Sequence, residues 1–237
     1  MTVALEMLDS RYLAPQPGLD SRWLREALHE VLAKVDAMLP RFTTTFPAAS
    51  ATDGHYPAVE KVDWTEGFWT GMLWLAWEVT GDDKYRTVSE NLLNSFEERL
   101  DKQIKVDTHD LGFLYMLSCV NAWKLTGNLR ARGLALRAAD LLYRRFNATA
   151  GVIQAWGDLN DPARQGRMII DCNLNIPLLF WAADETGNAA WREAATQHLA
   201  QAARYLVRED ASSFHTFYMD IHSGQPLRSQ LVASRSC

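Results

Sequence analysis

The sequence has only three cysteines, Cys119, Cys172 and Cys237. Odd in number, widely spaced and never in a Cys-x-x-Cys pair, they exclude a disulfide framework and a finger-type zinc site. They suit the reducing cytoplasm. Long hydrophobic runs are also lacking: a stretch such as Ile176 to Ala183 falls far short of a bilayer, so no membrane span is expected. Basic blocks are missing too. With 24 Lys and Arg against 29 Asp and Glu, the net charge is −5 and no basic stripe exists to neutralise phosphates, which excludes nucleic acid as a partner. The first residues, MTVALEMLDSRYLAPQPG, carry no basic n-region, continuous apolar stretch or small-residue cleavage site, and so do not read as a secretory signal.

What is present fits one globular domain over residues 1–237. Hydrophobic residues make up 48% and charged residues 22% of the chain, enough to build a self-supporting core. Trp23, Leu24, Leu28, Val31, Leu32 and Val35 recur at helical spacing and predict a helix over Ser21 to Met38, stopped at Pro40. Residues 41–62, rich in Thr, Ala, Pro and Gly, read as a long loop. From Trp64 onward the pattern is helical, broken at Gly81, Gly127, Gly151 and Gly187. No convincing strand alternation precedes Phe214, and residues 209–237 read as irregular.

The helices repeat. LWLAWEVTGDD, CVNAWKLTGNL and LLFWAADETGNA each end an apolar helix in Thr-Gly, followed by Asp or Asn. Glycine there is the natural left-handed cap of one helix, and the Asp or Asn helps to start the next. More charged helices follow at Lys84 to Leu100, Leu129 to Phe146 and Ala190 to Val207. An apolar helix paired with a solvent-facing one, repeated three times after the first helix, predicts about seven helices in an open arc of hairpins.

Spacing then locates a shared cleft. The second Thr-Gly follows the first by 46 residues and the third follows the second by 60, the excess falling in the loop from Gly151 to Arg167. Trp64, Asp110 and Asp171 lie 17, 17 and 16 residues before their respective glycines, which makes them equivalent positions at the inner-helix starts. The plain reading of either aspartate is a helix N-cap. Asp110, however, follows Asp107 and Thr108, which are better placed to cap. Asp171 is flanked by Met168, Ile169, Ile170 and Cys172, an apolar setting that disfavours the ionised carboxyl and keeps it available as a general acid. A second, better-solvated carboxylate beside it would stay charged, the division of labour that glycosidic chemistry uses. Trp69, Trp74, Trp77, Trp123 and Trp181 fall inside apolar helices and read as core, whereas Trp64 and Trp156 lie at the mouth and can stack on a sugar. His109 and His215 are candidate donors to a polar ligand; His29 and His198, on charged helices, receive no role.

The strings DWTEGFWTGMLWLAWEVTGD, THDLGFLY, GVIQAWG, GRMIIDCNLNIPLLFWA and SSFHTFYMD, in this order between Val62 and Gly224, resemble the unsaturated glucuronyl hydrolases, glycoside hydrolase family 88. The resemblance implies a bacterial, all-α (α/α)6 barrel that removes 4,5-unsaturated uronic acid from the non-reducing end of oligosaccharides left by polysaccharide lyases. It implies no metal or other cofactor. It gives Asp171 the acid/base role, Asp110 that of an assisting carboxylate, and Trp64, His109, Trp156 and His215 those of substrate contacts. The related unsaturated rhamnogalacturonyl hydrolases are a second reading, and a non-catalytic helical-repeat remnant that binds carbohydrate is a third. After HSGQPLR the family's threonine-histidine-glutamine-glycine and arginine-glycine-glutamine-alanine-tryptophan motifs are absent, and SQLVASRSC closes the sequence. A truncated barrel with impaired activity, self-associating through its exposed edge, is the resulting expectation.

Overall fold

A computed structural model describes residues 20–61 and 63–230; Cys237 and the closing residues of the chain lie outside the described residues. Two compact units divide at Pro40 and Arg41. In the first, helix α1 (Ser21–Met38) has the predicted limits, with the Asp20 side chain accepting from the Trp23 N–H at its start. A 3-10 turn, Leu39–Arg41, follows.

The second unit opens on the segment expected to be a featureless loop, and the structure corrects that expectation. Strands β1 (Phe46–Pro47) and β2 (Ala58–Val59) pair antiparallel. Phe42 and Phe46 are buried, the first receiving the indole N–H of Trp69 on its carbonyl and the second meeting Phe96 edge-on. The apolar anchors were too few to show a period.

Three helical hairpins follow: α2 (Glu66–Thr80) with α3 (Asp83–Asp101), then α4 (Leu111–Tyr115) and α5 (Asn121–Thr126) with α6 (Leu129–Tyr143), then α7 (Cys172–Asn175) and α8 (Pro177–Thr186) with α9 (Ala189–Tyr205). The Thr-Gly signature acts as read. Gly81, Gly127 and Gly187 adopt φ of 70°, 69° and 76° and donate to Trp77, Trp123 and Ala183. The preceding threonine hydroxyl bonds back to the carbonyl four residues earlier in each case. Asp82, Asn128 and Asn188 then accept from the first turn of the next helix. Counting each interrupted inner helix once, the described residues hold seven helices. The second inner helix passes through a π-helical stretch, Met116–Val120, where the Ser118 hydroxyl bonds to the Leu114 carbonyl. The third is broken at Pro177, whose nitrogen cannot donate to the ladder.

Successive inner helices touch through their backbones. A Cβ on Gly67 would lie 2.1 Å from the Phe113 carbonyl oxygen, and one on Gly112 would lie 2.2 Å from that of Asn175. Only glycine permits either approach, and together they draw the starts of α2 and α4 and the end of α7 to one place.

Strands are more numerous than expected, although each is short. β3 (Phe146–Asn147) pairs with β4 (Val152–Ile153), and β5 (Arg167–Ile169) pairs with β6 (Thr216–Met219), itself paired with β7 (Pro226–Gln230). β5 contradicts the expectation of no strand before Phe214, and β6 and β7 replace an irregular end. Three residues leading straight into a helix cannot display an alternation. Ala150, Val152, Met168, Ala202, Leu206 and Met219 form the core beneath this sheet. Of the five tryptophans expected in the core, Trp69, Trp74 and Trp181 are buried. Trp77 and Trp123 are only partly so, because each indole N–H reaches a carboxylate, Asp83 and Glu185 respectively. His198 is fully buried, its Nδ1 accepting from the Ile153 N–H, so a residue left without a role supports β4.

Candidate active site

Asp110 stands at the start of α4 and Asp171 at the start of α7, and neither carboxyl caps its own helix. Asp110 instead exchanges two bonds with Thr108: the hydroxyl donates to Oδ2 at 2.6 Å, and the Asp110 N–H donates to the hydroxyl at 3.1 Å. Between the aspartates lies His109. Its Nε2 is 3.4 Å from Asp110 Oδ1 and 3.6 Å from Asp171 Oδ1. The imidazole is buried and its N–H backbone group is tied to Ala155.

Burial governs the ionisation of all three. It pulls His109 down to about 4, leaving the ring neutral at physiological pH, with the proton best placed on Nε2 between two acceptors. It pushes both aspartates above the ordinary carboxylate range. The two differ in what opposes that push. Asp110 is helped to ionise by the hydrogen bond from Thr108 and by the nearby Asn175 side chain. Asp171 has the nearby His109 as its principal counterweight, and its buried Oδ1 has no hydrogen-bond partner.

The solvation order expected from the flanking residues is reversed. The Asp110 side chain is 14% exposed and that of Asp171 41%. Met168, Ile169 and Cys172 are indeed buried, but they point into the core while Asp171 points out of it. The asymmetry that lets Asp110 carry the charge therefore comes from hydrogen bonds.

Asp110 lines a recess of about 430 Å³ with Trp64, Trp156, Asp63, Asp107 and Thr108. Trp64 is 44% and Trp156 37% exposed, both open to a ligand. Asp171 and His215 lie outside the lining of this recess, although Asp171 has a carboxylate oxygen within 4.8 Å of one of Asp110. His215 is carried there by the β5–β6 pairing, where its carbonyl accepts from the Ile170 N–H, and its Nδ1 contacts the Thr216 hydroxyl at 2.8 Å. It is close enough to favour the ionised form of Asp171.

Several site residues had no mark in the sequence. Arg167 lies 3.9 Å above the Trp156 ring and donates to the Trp156 carbonyl, which braces the indole from behind. Arg145, buried, donates to the carbonyls of Gln154 and Gly157 and fixes the Trp156 segment. Arg99 and Glu66, both buried, pair at 2.6 Å, and Arg99 also donates to the Asp63 carbonyl beside Trp64. Arg99 in EERLDK and Arg145 in YRRFN sit among other charged residues, so nothing in the sequence singled them out. For a cation, His109, Asp110 and Asp171 are the groups in reach, with one ligand atom from each within 4.8 Å of the others.

Among the described residues no helix is long and apolar enough to cross a membrane. The unsaturated glucuronyl hydrolase of Bacillus sp. (strain GL1) is 46% identical over 204 residues, 86% of this chain and 54% of that protein. The crystal structure of unsaturated glucuronyl hydrolase from Bacillus sp. GL1 matches with a TM-score of 0.84 at 45% identity, over the same shares of the two chains. The unsaturated chondroitin disaccharide hydrolase of Streptococcus pneumoniae (strain ATCC BAA-255 / R6) is 42% identical over 212 residues, 90% of this chain and 53% of the relative. A mutant unsaturated glucuronyl hydrolase from Streptococcus agalactiae, complexed with dGlcA-GalNAc6S, matches with a TM-score of 0.75 at 33% identity, covering 92% of this chain and 52% of that one. The chain thus spans about half the length of the curated relatives it matches, and the helical hairpins of its second unit have the fold of an incomplete (α/α)6 barrel. Residues 34–220 match the model of Glycosyl Hydrolase Family 88, and with these relatives they show that the chain belongs to that family.

Proposed function

We propose that this protein is a glycoside hydrolase that removes a 4,5-unsaturated uronic acid from the non-reducing end of an oligosaccharide by hydrating the C4=C5 double bond. The observation that carries this reading is the approach of Asp110 and Asp171 to one nitrogen of a neutral imidazole. Asp171, whose carboxyl lacks a donor to hold its charge, gives its proton to C4. Positive charge then develops at C5 and the ring oxygen, and the ionised Asp110 stabilises it. The Asp171 carboxylate next takes a proton from the water that adds to C5. The resulting hemiketal opens and the aglycone leaves.

Trp64 and Trp156 supply stacking faces for the sugar, and His109 and His215 supply polar contacts. The names of the relatives support an unsaturated uronide from chondroitin or a similar glycosaminoglycan as the substrate class. Turnover of an unsaturated chondroitin disaccharide, followed as loss of the absorbance of the conjugated double bond, tests the proposal. Cleavage abolished by Asp171→Asn is the expected result; cleavage unaffected by that change defeats the assignment.

Phe68, Met72, Leu75 and Val79 form an exposed apolar stripe on α2 and support self-association, which light scattering across a concentration series would detect. The free thiols of Cys119 and Cys172, both buried, support a cytoplasmic location.

A further inference from the structure

A helix start leaves its first backbone N–H groups without partners, and the residue at the N-cap position normally supplies an acceptor. At α4 that residue is Asp110, and its carboxyl makes no such bond. The open donor at Phe113 is met from another hairpin: Asn175 Oδ1, at the end of α7, accepts from the Phe113 N–H at 2.6 Å. This bond fixes which way the Asn175 amide faces, because only the oxygen can receive an N–H. Nδ2 is then turned toward the aspartates. It donates to the Asp171 carbonyl at 3.3 Å, and the Asn175 side chain lies close enough to the Asp110 carboxyl to favour its ionised form. Asn175 is completely buried, and its backbone lies against Gly112, where any side chain would collide with it.

We propose that Asn175 is the positioning residue of the aspartate pair: by capping α4 from α7 it frees the Asp110 carboxyl from the cap role and holds it facing Asp171. One amide thereby does two jobs. Its acceptor completes the helix that Asp110 begins, and its donor bonds the Asp171 carbonyl, so both aspartate-bearing turns are tied to the same side chain. Asn175 touches no reacting atom in this scheme; it acts through Asp110. The inference rests on the proposed roles of Asp110 and Asp171 for its catalytic consequence, although the hydrogen-bond arrangement can be tested without turnover.

The experiment is a pH titration of the protein by NMR, reading the Asp110 carboxyl carbon and the Asn175 side-chain amide protons, alongside the pH profile of kcat/KM. In the unaltered protein the Asn175 amide protons should move with the same midpoint as the Asp110 carbon, and Asp110→Asn should abolish that movement. In Asn175→Ser the Asp110 midpoint should rise by about one unit, because the ionised form loses the amide dipole held beside it. The acidic limb of kcat/KM should rise with it while KM stays within about twofold. If Asn175→Ser does not fold, the unaltered protein and Asp110→Asn still decide. Amide protons indifferent to the Asp110 titration, or an unchanged Asp110 midpoint in folded Asn175→Ser, would overturn the proposal and leave Asn175 a helix cap alone. Coupled titration without any turnover would instead uphold the positioning and count against the proposed function.

Discussion

Asp110 and Asp171 come from helix starts in successive hairpins, yet one atom, Nε2 of His109, lies 3.4 Å from the first carboxyl and 3.6 Å from the second. Because burial keeps that imidazole neutral, it brings no positive charge to the two carboxyls, which favours a state with one aspartate charged and the other protonated.

Asp171→Asn should therefore remove turnover by a factor of about 10³ or more, in the range general acids contribute, and Asp110→Asn should do comparable damage. Neither carboxyl caps its helix, so both variants should keep the far-ultraviolet dichroism of the parent. Rates on an unsaturated disaccharide, with the spectrum as control, check both halves of the statement.

The pH dependence of kcat/KM should be bell-shaped, the acidic limb following ionisation of Asp110 and the basic limb ionisation of Asp171. Burial raises both groups, so both limbs should lie above the ordinary aspartate range. His109 should add no limb near 6.5, since its ring titrates at about 4. An imidazole proton spectrum recorded between pH 3 and 8 would show this directly.

Replacing Asp171 should cost activity but raise stability. The folded-state value of Asp171 is raised, so the native state binds more protons than the unfolded one, and stability declines as pH rises through that range. Asp171→Asn removes the cost of ionising this group. It should melt higher than the parent at pH 7, by about 1–2 °C once its partial exposure is allowed for, with no gain at pH 3. Calorimetry at the two pH values checks the sign.

The buried Arg99–Glu66 pair should behave differently. Arg99→Met leaves the Glu66 carboxylate in the interior without the guanidinium and should cost about 3–5 kcal/mol, while replacing both residues by apolar ones should cost much less. Denaturant unfolding of the single and double variants measures the difference.

Much of this arrangement was legible before the structure. Gly81, Gly127 and Gly187 adopt the left-handed caps their Thr-Gly context implied, and counting back from them put Asp110 and Asp171 at equivalent helix starts. That inference needed only local physics. The rest depended on distant partners. Asn175 reaches Phe113 across 62 residues and Arg99 reaches Glu66 across 33, spacings that no helical or strand period encodes. The solvation of Asp171 was misread for a related reason: neighbours in sequence, Met168 and Cys172, share its chain but face the other way. β5 escaped notice because three residues are too few to alternate.

The central claim is that Asp171 delivers a proton to C4 of an unsaturated uronide. It is tested most directly by running the reaction in D2O and stopping it at the earliest measurable conversion, then reading C4 of the released uronic acid by NMR. The account predicts one deuterium at C4 on a single face, arriving no later than the aglycone is freed, and loss of the reaction in Asp171→Asn. Release of the aglycone with no deuterium at C4 would mean the glycosidic bond is displaced directly, and would contradict it.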